Sequence, residues 1–285
     1  MNLELCFAYQ SGSGQTAVDV ALEWRNLLNC ALTIFTDIDC TDEFEGILPS
    51  GVHVVNLRLS ERVNRYDKHT TGLTTWSPWG TKSGPNYQFF RIIQHYSERA
   101  KDSWLLYLEP DTYCAVTDPR RHIEALTSQH PSAWIVGARP AANCLPYIDE
   151  SLHDHINGAC LINVGDPSFH DFLVRTWGPS VLWKIRTRPY YAYDCVTATL
   201  EYTYLPSELR AIWIRESGRF VRTATMLNLS NLELTKQEVL GILDSSDSRE
   251  MPMQTAWFIH AKISELRASY DLSTHRALRH SLQMR

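Results

Sequence analysis

The chain has 285 residues, a hydrophobic share of 44%, a charged share of 21% and a formal net charge of -5. That length accommodates one large α/β domain or two small ones, with enough sequence to bury a sizeable core. The acidic balance argues against a dedicated nucleic-acid binder, which would usually be basic, and no apolar run reaches the roughly 18 residues of a membrane span.

Leu3–Tyr9 reads as a first strand, followed by a flexible turn at Gly12 and Gly14 and a helix over Ala17–Leu28. Cys30–Phe35 and Val52–Leu57 read as two more short strands. Strand, helix, strand in that order predicts a parallel sheet built from βαβ units. Thr70–Asn86 is rich in Gly and Pro and reads as a long loop of the kind that often serves as a lid or binding loop. Gln88–Lys101 is helical in period, with Phe89, Ile92, Ile93 and Tyr96 on one face. The apolar run Trp104–Leu108 has the length of an interior strand.

Helical spacing returns at His122–Ser128 and at Ser168–Trp177, the latter after Pro167. Trp134–Ala138, Ala159–Val164 and Trp257–Ile259 read as short strands, and Cys195–Tyr204 is compatible with helix or strand. Lys184, Arg186 and Arg188 alternate as one face of a strand would, most simply a solvated one. The tail from Ser273 reads as a basic surface helix. With no repeat and no linker, the expected organisation is one domain over 1–285, a nucleotide-binding half (1–115) and an acceptor-binding half (116–285).

The end of the Trp104–Leu108 strand carries the chemistry. Glu109-Pro110-Asp111 places two acids around a proline, which cannot donate to a sheet ladder and so ends the strand there. Ligands of open α/β sheets bind at that end of the strands. Two hard oxygen ligands suit Mg²⁺ or Mn²⁺, and such a cation suits a diphosphate. The bland alternative is an acidic solvated turn.

This layout resembles a GT-A-fold glycosyltransferase: an N-terminal βαβ half, a helix holding Gly84-Pro85-Asn86-Tyr87-Gln88-Phe89-Phe90-Arg91, then a strand ending in Glu109-Pro110-Asp111. It also resembles the cytosolic glycosyltransferases with which large algal viruses, the chloroviruses, decorate their capsid protein. The resemblance implies a mixed, mostly parallel central sheet flanked by helices. It implies a nucleotide-sugar donor, with UDP the expected nucleotide and xylose or a hexose the expected sugar, and a glycan acceptor. Many members carry Asp-x-Asp, so the Glu-Pro-Asp variant makes Asp111 the main metal ligand, with Glu109 either beside it at the metal or facing the ribose or a water. His260, after a short apolar strand, would return to the metal, and Lys262 would contact the diphosphate.

Further roles follow from the same resemblance. Phe7 and Tyr9 end strand one, where the nucleobase would lie, and Asp37 would bind base or ribose. Lys82 would reach the diphosphate and Asn86 the donor. Trp76 and Trp79 would cover the donor or stack on an acceptor sugar; a loop folded on its own aromatics is the alternative. His155, Asn157 and Gly158 would face the substrates. Asp194 is the first choice of base for an inverting transfer and Asp154 the second; a helix cap is the bland role for Asp194.

Two rival functions use similar layouts. A sugar nucleotidyltransferase would carry a basic residue beside the glycine turn after strand one, and none lies beside Gly12 or Gly14. A non-catalytic carbohydrate binder would hold glycans without a metal. Seven cysteines with no C-x-x-C pair read as buried free thiols in a reducing compartment. Glu4 and the absence of a basic start argue against a signal peptide. The expected location is therefore the cytoplasm, that of the host if the chain is viral.

Overall fold

This computed structural model describes residues 1–66, 77–99, 102–140, 150–235, 237–239, 241 and 256–263. Strand β1 (Asn2–Tyr9) divides its side chains between two cores: Leu3, Leu5, Phe7 and Tyr9 enter one, Cys6 the other. This is period-2 alternation with both faces covered. Helix α1 (Gln15–Leu28) closes with Asn29 in the left-handed region and packs Val18, Ala21 and Trp24 into the first core. Strands β2 (Leu32–Thr36) and β3 (Val52–Asn56) follow.

Helix α2 (Ser83–Ser97) packs Phe89, Ile92, Ile93 and Tyr96 into the second core. It starts five residues before the sequence expectation, because Pro85 falls in its first turn, where a missing N–H costs nothing. The first part of the expected loop, 70–76, lies outside the described residues. Strand β4 (Ser103–Leu108) is buried along its whole length, and β5 (Thr112–Cys114) resumes just beyond Pro110.

Helix α3 (Pro119–Gln129) is capped by the Asp118 side chain, which accepts from the Arg121 N–H, with Pro119 at the first position. Strands β6 (Ile135–Pro140) and β7 (Cys160–Ile162) precede α4 (Pro167–Phe172). A π turn over Leu173–Trp177 joins α4 to α5 (Gly178–Ile185). Gly178 N–H reaches back five residues to the Leu173 carbonyl, and Pro179 next to it has no N–H to donate. Helices α6 (Tyr193–Thr199) and α7 (Ser207–Glu216) lead to the long strand β8 (Phe220–Leu234) and to β9 (Phe258–Ile263).

Among the described residues, nine strands lie in the order β3-β2-β1-β4-β7-β6-β8-β9-β5. Pairs along β3-β2-β1-β4 and β6-β8-β9 are parallel; β7 runs antiparallel to β4 and β6, and β5 to β9. This is the mixed, mostly parallel sheet flanked by helices that the resemblance implies. From β1 the chain moves outward to β2 through α1, then returns by α2 to β4 on the other side. The two helices sit in opposite cores. The carboxyl ends of β1 and β4 thus flank a topological switch point, where open sheets form a crevice.

Several expectations change. Cys195–Tyr204 is helical, as α6 and a 3-10 turn over Leu200–Tyr202. Lys184 lies in α5 and Arg186 just past its end, so these basic residues are not on a strand. Burial of Val181 and Ile185 at i, i+4 sets a helical face there. The expected tail helix lies outside the described residues, as does Cys144. The other six cysteines are free. Among the described residues, no helix is long and apolar enough to cross a membrane.

Candidate metal centre at the end of β4

Glu109 and Asp111 occupy the corner between β4 and β5, at the switch point. His260 arrives from β9, which pairs with β5 so that Thr112 lies opposite His260. The Ala261 N–H also donates to the Asp111 carbonyl at 3.0 Å. His260 Nε2 consequently sits 3.1 Å from Asp111 Oδ1 and 3.2 Å from Glu109 Oε2. One ligand atom from each of the three residues lies within 4.8 Å of the others. The imidazole is 5% exposed, while the carboxylates keep 28% and 29% and open to solvent.

A chain of hydrogen bonds fixes the imidazole. His155 Nδ1 lies 2.6 Å from the Leu152 carbonyl, which can only accept, so Nδ1 carries the proton. His155 Nε2 is then an acceptor and takes an N–H from Asn228 Nδ2 at 3.4 Å. Asn228 is thereby oriented with its Oδ1 toward His260 Nδ1, at 3.2 Å, and accepts the proton there. In the neutral ring Nε2 is left as a bare lone pair facing two carboxylate oxygens. That arrangement is repulsive unless a cation lies between them.

A proton satisfies it: burial alone pulls the His260 pKa down, but the Asp111 charge and hydrogen bond, then those of Glu109, push it up to about 10. A divalent cation satisfies it equally. Ligand atoms held at roughly 2.1 Å in an octahedral shell stand about 3.0 Å apart at neighbouring vertices, close to the 3.1 and 3.2 Å seen here. Two carboxylates and an imidazole whose far nitrogen is held by Asn228 Oδ1 fit Mn²⁺ or Mg²⁺. Burial raises the pKa of Glu109 against the lowering pull of His260.

Two further predicted residues meet this corner. Gly158 leaves a gap that a side chain could not share: a Cβ there would lie 2.5 Å from Glu109 Oε1 and 2.4 Å from the Tyr193 hydroxyl. Asp194 stands in the first turn of α6, where its Oδ1 accepts the Cys195 N–H at 2.8 Å. Its charge bears on Glu109 and Cys160. It is not the N-cap, which is Ala192. Lys82, just before α2, is close enough to lower the Cys195 thiol pKa, against burial.

Several other predicted residues have partners within the fold. Phe7 and Tyr9 are core residues, with no ring face left for a base. The Tyr9 ring packs edge-on against Phe44, and its hydroxyl donates to Glu43 Oε2 at 2.6 Å. Asp37 is buried and staples two loops, accepting from Ser11 N–H, Ile38 N–H and Asn64 Nδ2. Asn86 is fully buried; it donates to the Trp79 and Tyr191 carbonyls and accepts the Tyr193 N–H. It positions α6 and has no free polar group for a donor.

Trp79 folds back on Tyr87 and Phe90. His155 is buried in the relay behind His260. The buried Asn157 side chain accepts the Ala159 N–H in a local turn. Asp154 is exposed on a groove it shares with Arg222, whose Nε donates to its carbonyl. Trp76 lies outside the described residues; Lys262 follows two positions after His260 in β9, and only its backbone is described.

Sequence reasoning missed Asn228 and Tyr193. Asn228 is the one polar side chain in Met226-Leu227-Asn228-Leu229, a signal for a buried residue with an assigned partner. Tyr193 stacks on Phe89 with centroids 3.8 Å apart, and its buried hydroxyl has no hydrogen-bond partner among the described residues.

No protein-family model matches the sequence, and neither does any curated protein. Solved structures do match. The chain is similar to a glycosyltransferase involved in the glycosylation of the major capsid of PBCV-1. The match covers 98% of this chain and 100% of that one, at 12% identity and a TM-score of 0.45. A 4-diphosphocytidyl-2C-methyl-D-erythritol synthase also matches, over 75% of this chain and 97% of that one, at 15% identity and a TM-score of 0.31. The first is of the chlorovirus kind that the sequence resembles. At such values neither likeness assigns a role to any residue.

Proposed function

We propose that the chain is a metal-dependent glycosyltransferase that moves a sugar from a UDP-sugar to a hydroxyl of a glycan, with inversion at the anomeric carbon. One observation carries the reading. At the switch point of the sheet, Asp111, Glu109 and a lone pair of His260 converge, and the Asn228–His155 relay fixes that lone pair in place.

Asp111, Glu109 and His260 would hold Mn²⁺ or Mg²⁺. The cation would supply positive charge against the diphosphate as it leaves. Lys82 and Lys262 are the ammonium groups assigned to the same diphosphate. Asp194 takes the proton from the acceptor hydroxyl as that oxygen attacks the sugar. Its place in the first turn of α6, with its charge felt at Glu109, supports that role. Gly158 keeps the space between Glu109 and the Tyr193 hydroxyl clear of side chain. Xylose, glucose or galactose is the proposed sugar, and the cytoplasm the proposed location.

The test is a thermal-shift screen of nucleoside diphosphates and nucleotide sugars with and without Mn²⁺. At a hundred times Kd a ligand adds about 2.7 kcal/mol, which for a chain of this size raises Tm by roughly 4–5 °C. UDP or a UDP-sugar should shift Tm only with metal, and Asp111→Ala should abolish the shift. A response to nucleoside triphosphates with pyrophosphate release would select a nucleotidyltransferase. Silence towards every nucleotide would overturn the proposal.

A further inference from the structure

A second region presents aromatic side chains that the fold does not use. Tyr204 is 85% exposed, Tyr202 79% and Trp183 39%. None of these rings packs on another aromatic among the described residues, while the core aromatics pair extensively. Trp183 is nevertheless held in place: its Nε1 donates to the Tyr204 carbonyl at 3.1 Å, which sets the indole beside Tyr204. Isolated exposed apolar groups need no explanation, but several at one place do.

These two residues line a hollow of about 350 Å³ with Lys184, Arg186, Thr187 and Thr203. No carboxylate lines it, and none pairs with Lys184 or Arg186 among the described residues. Partial burial and the charge of Arg188 lower the Lys184 pKa, as expected where positive charge is uncompensated. This local excess of positive charge sits on a chain whose net charge is -5.

We infer that the hollow between the end of α5 and the Tyr202–Tyr204 turn binds an acidic saccharide. The flat faces of Trp183 and Tyr204 suit the C–H face of a pyranose, and Lys184 with Arg186 suits its carboxylate. The volume is at the small end of ligand sites, enough for a short stretch of sugar chain. Single-stranded RNA also combines stacking with charge, but the acidic chain as a whole repels it. The site includes no residue of the Glu109–Asp111–His260 cluster, so its occupancy is independent of metal and of glycosyl transfer.

The experiment is calorimetric titration of the full chain with tetragalacturonate at 50 mM NaCl, in EDTA and in Mn²⁺. Binding should be equal in both and unchanged by Asp111→Ala. Tyr204→Ala and Arg186→Ala should each weaken it at least fivefold, with Tm unchanged, because both side chains are exposed. Raising the salt to 300 mM should weaken it further. The inference is overturned if tetragalacturonate does not bind, if neutral maltotetraose binds as well, if neither variant matters, or if an oligouridylate of equal charge binds more tightly. Loss of nucleotide response in the same preparation would count against the transferase reading alone.

Discussion

Raising the pH from 6.5 to 8.5 should tighten Mn²⁺ binding about 100-fold. The relay through Asn228 and His155 keeps a proton on His260 Nδ1, so a cation must use Nε2. Without metal that nitrogen carries its own proton, because Asp111 and Glu109 push the pKa up to about 10 despite burial. Every cation bound there displaces a proton, so below pH 10 the apparent Kd falls about tenfold per pH unit, or 1.36 kcal/mol. Calorimetry in buffers of different ionisation enthalpy should count about one proton released per Mn²⁺. His260→Gln cannot hold that proton; it should bind Mn²⁺ more weakly and flatten the pH dependence.

The metal-free protein should show the converse. The raised His260 pKa adds stability that is fully present below pH 6.5, the value in the unfolded chain, and disappears as pH rises through about 10. A pH-independent Kd with no proton release would remove His260 from the ligand set and refute the reasoning.

Three other substitutions probe the site. Gly158→Ala places a methyl 2.5 Å from Glu109 Oε1 and 2.4 Å from the Tyr193 hydroxyl; displacing the carboxylate should weaken Mn²⁺ at least about tenfold, and unchanged calorimetry would show that Glu109 does not ligate. Asp194→Asn should slow sugar transfer by about 10²–10⁴ while leaving the UDP-induced Tm shift intact; undiminished transfer would place the base elsewhere. Tyr9→Phe removes hydrogen bonds to Glu43 and Gly14, so urea unfolding should show a loss of about 1 kcal/mol with nucleotide affinity unchanged. A selective loss of nucleotide binding would show that the Tyr9 hydroxyl contacts the nucleotide.

The strands and the acidic corner were legible because their signals are local. Trp104–Leu108 is a continuous apolar run, and Pro110 marks its end. His260 became a candidate only through the resemblance, as a late His after a short apolar strand; that β9 pairs with β5 depends on residues nearly 150 positions away. Tyr9, Asp37, Asn86 and His155 show the opposite case. Each is a polar or aromatic residue at a strand end, in a loop or near the start of a helix, the pattern of a binding residue, yet each is committed to a partner within the fold. Composition cannot separate the two, because the partner of Tyr9 lies 34 positions away and that of Asn86 107 positions away. Strand β8 was missed although it carries the relay: its register with β6 slips between Ala138 and Arg139, and that with β9 between Asn228 and Glu233.

The most direct measurement is the anomalous difference map of a crystal soaked in MnCl₂ and UDP. A single strong peak should lie among Glu109, Asp111 and His260, with the UDP diphosphate completing its coordination. Ordered UDP with no peak at that corner, or a peak held by other residues, would contradict the assignment of this site.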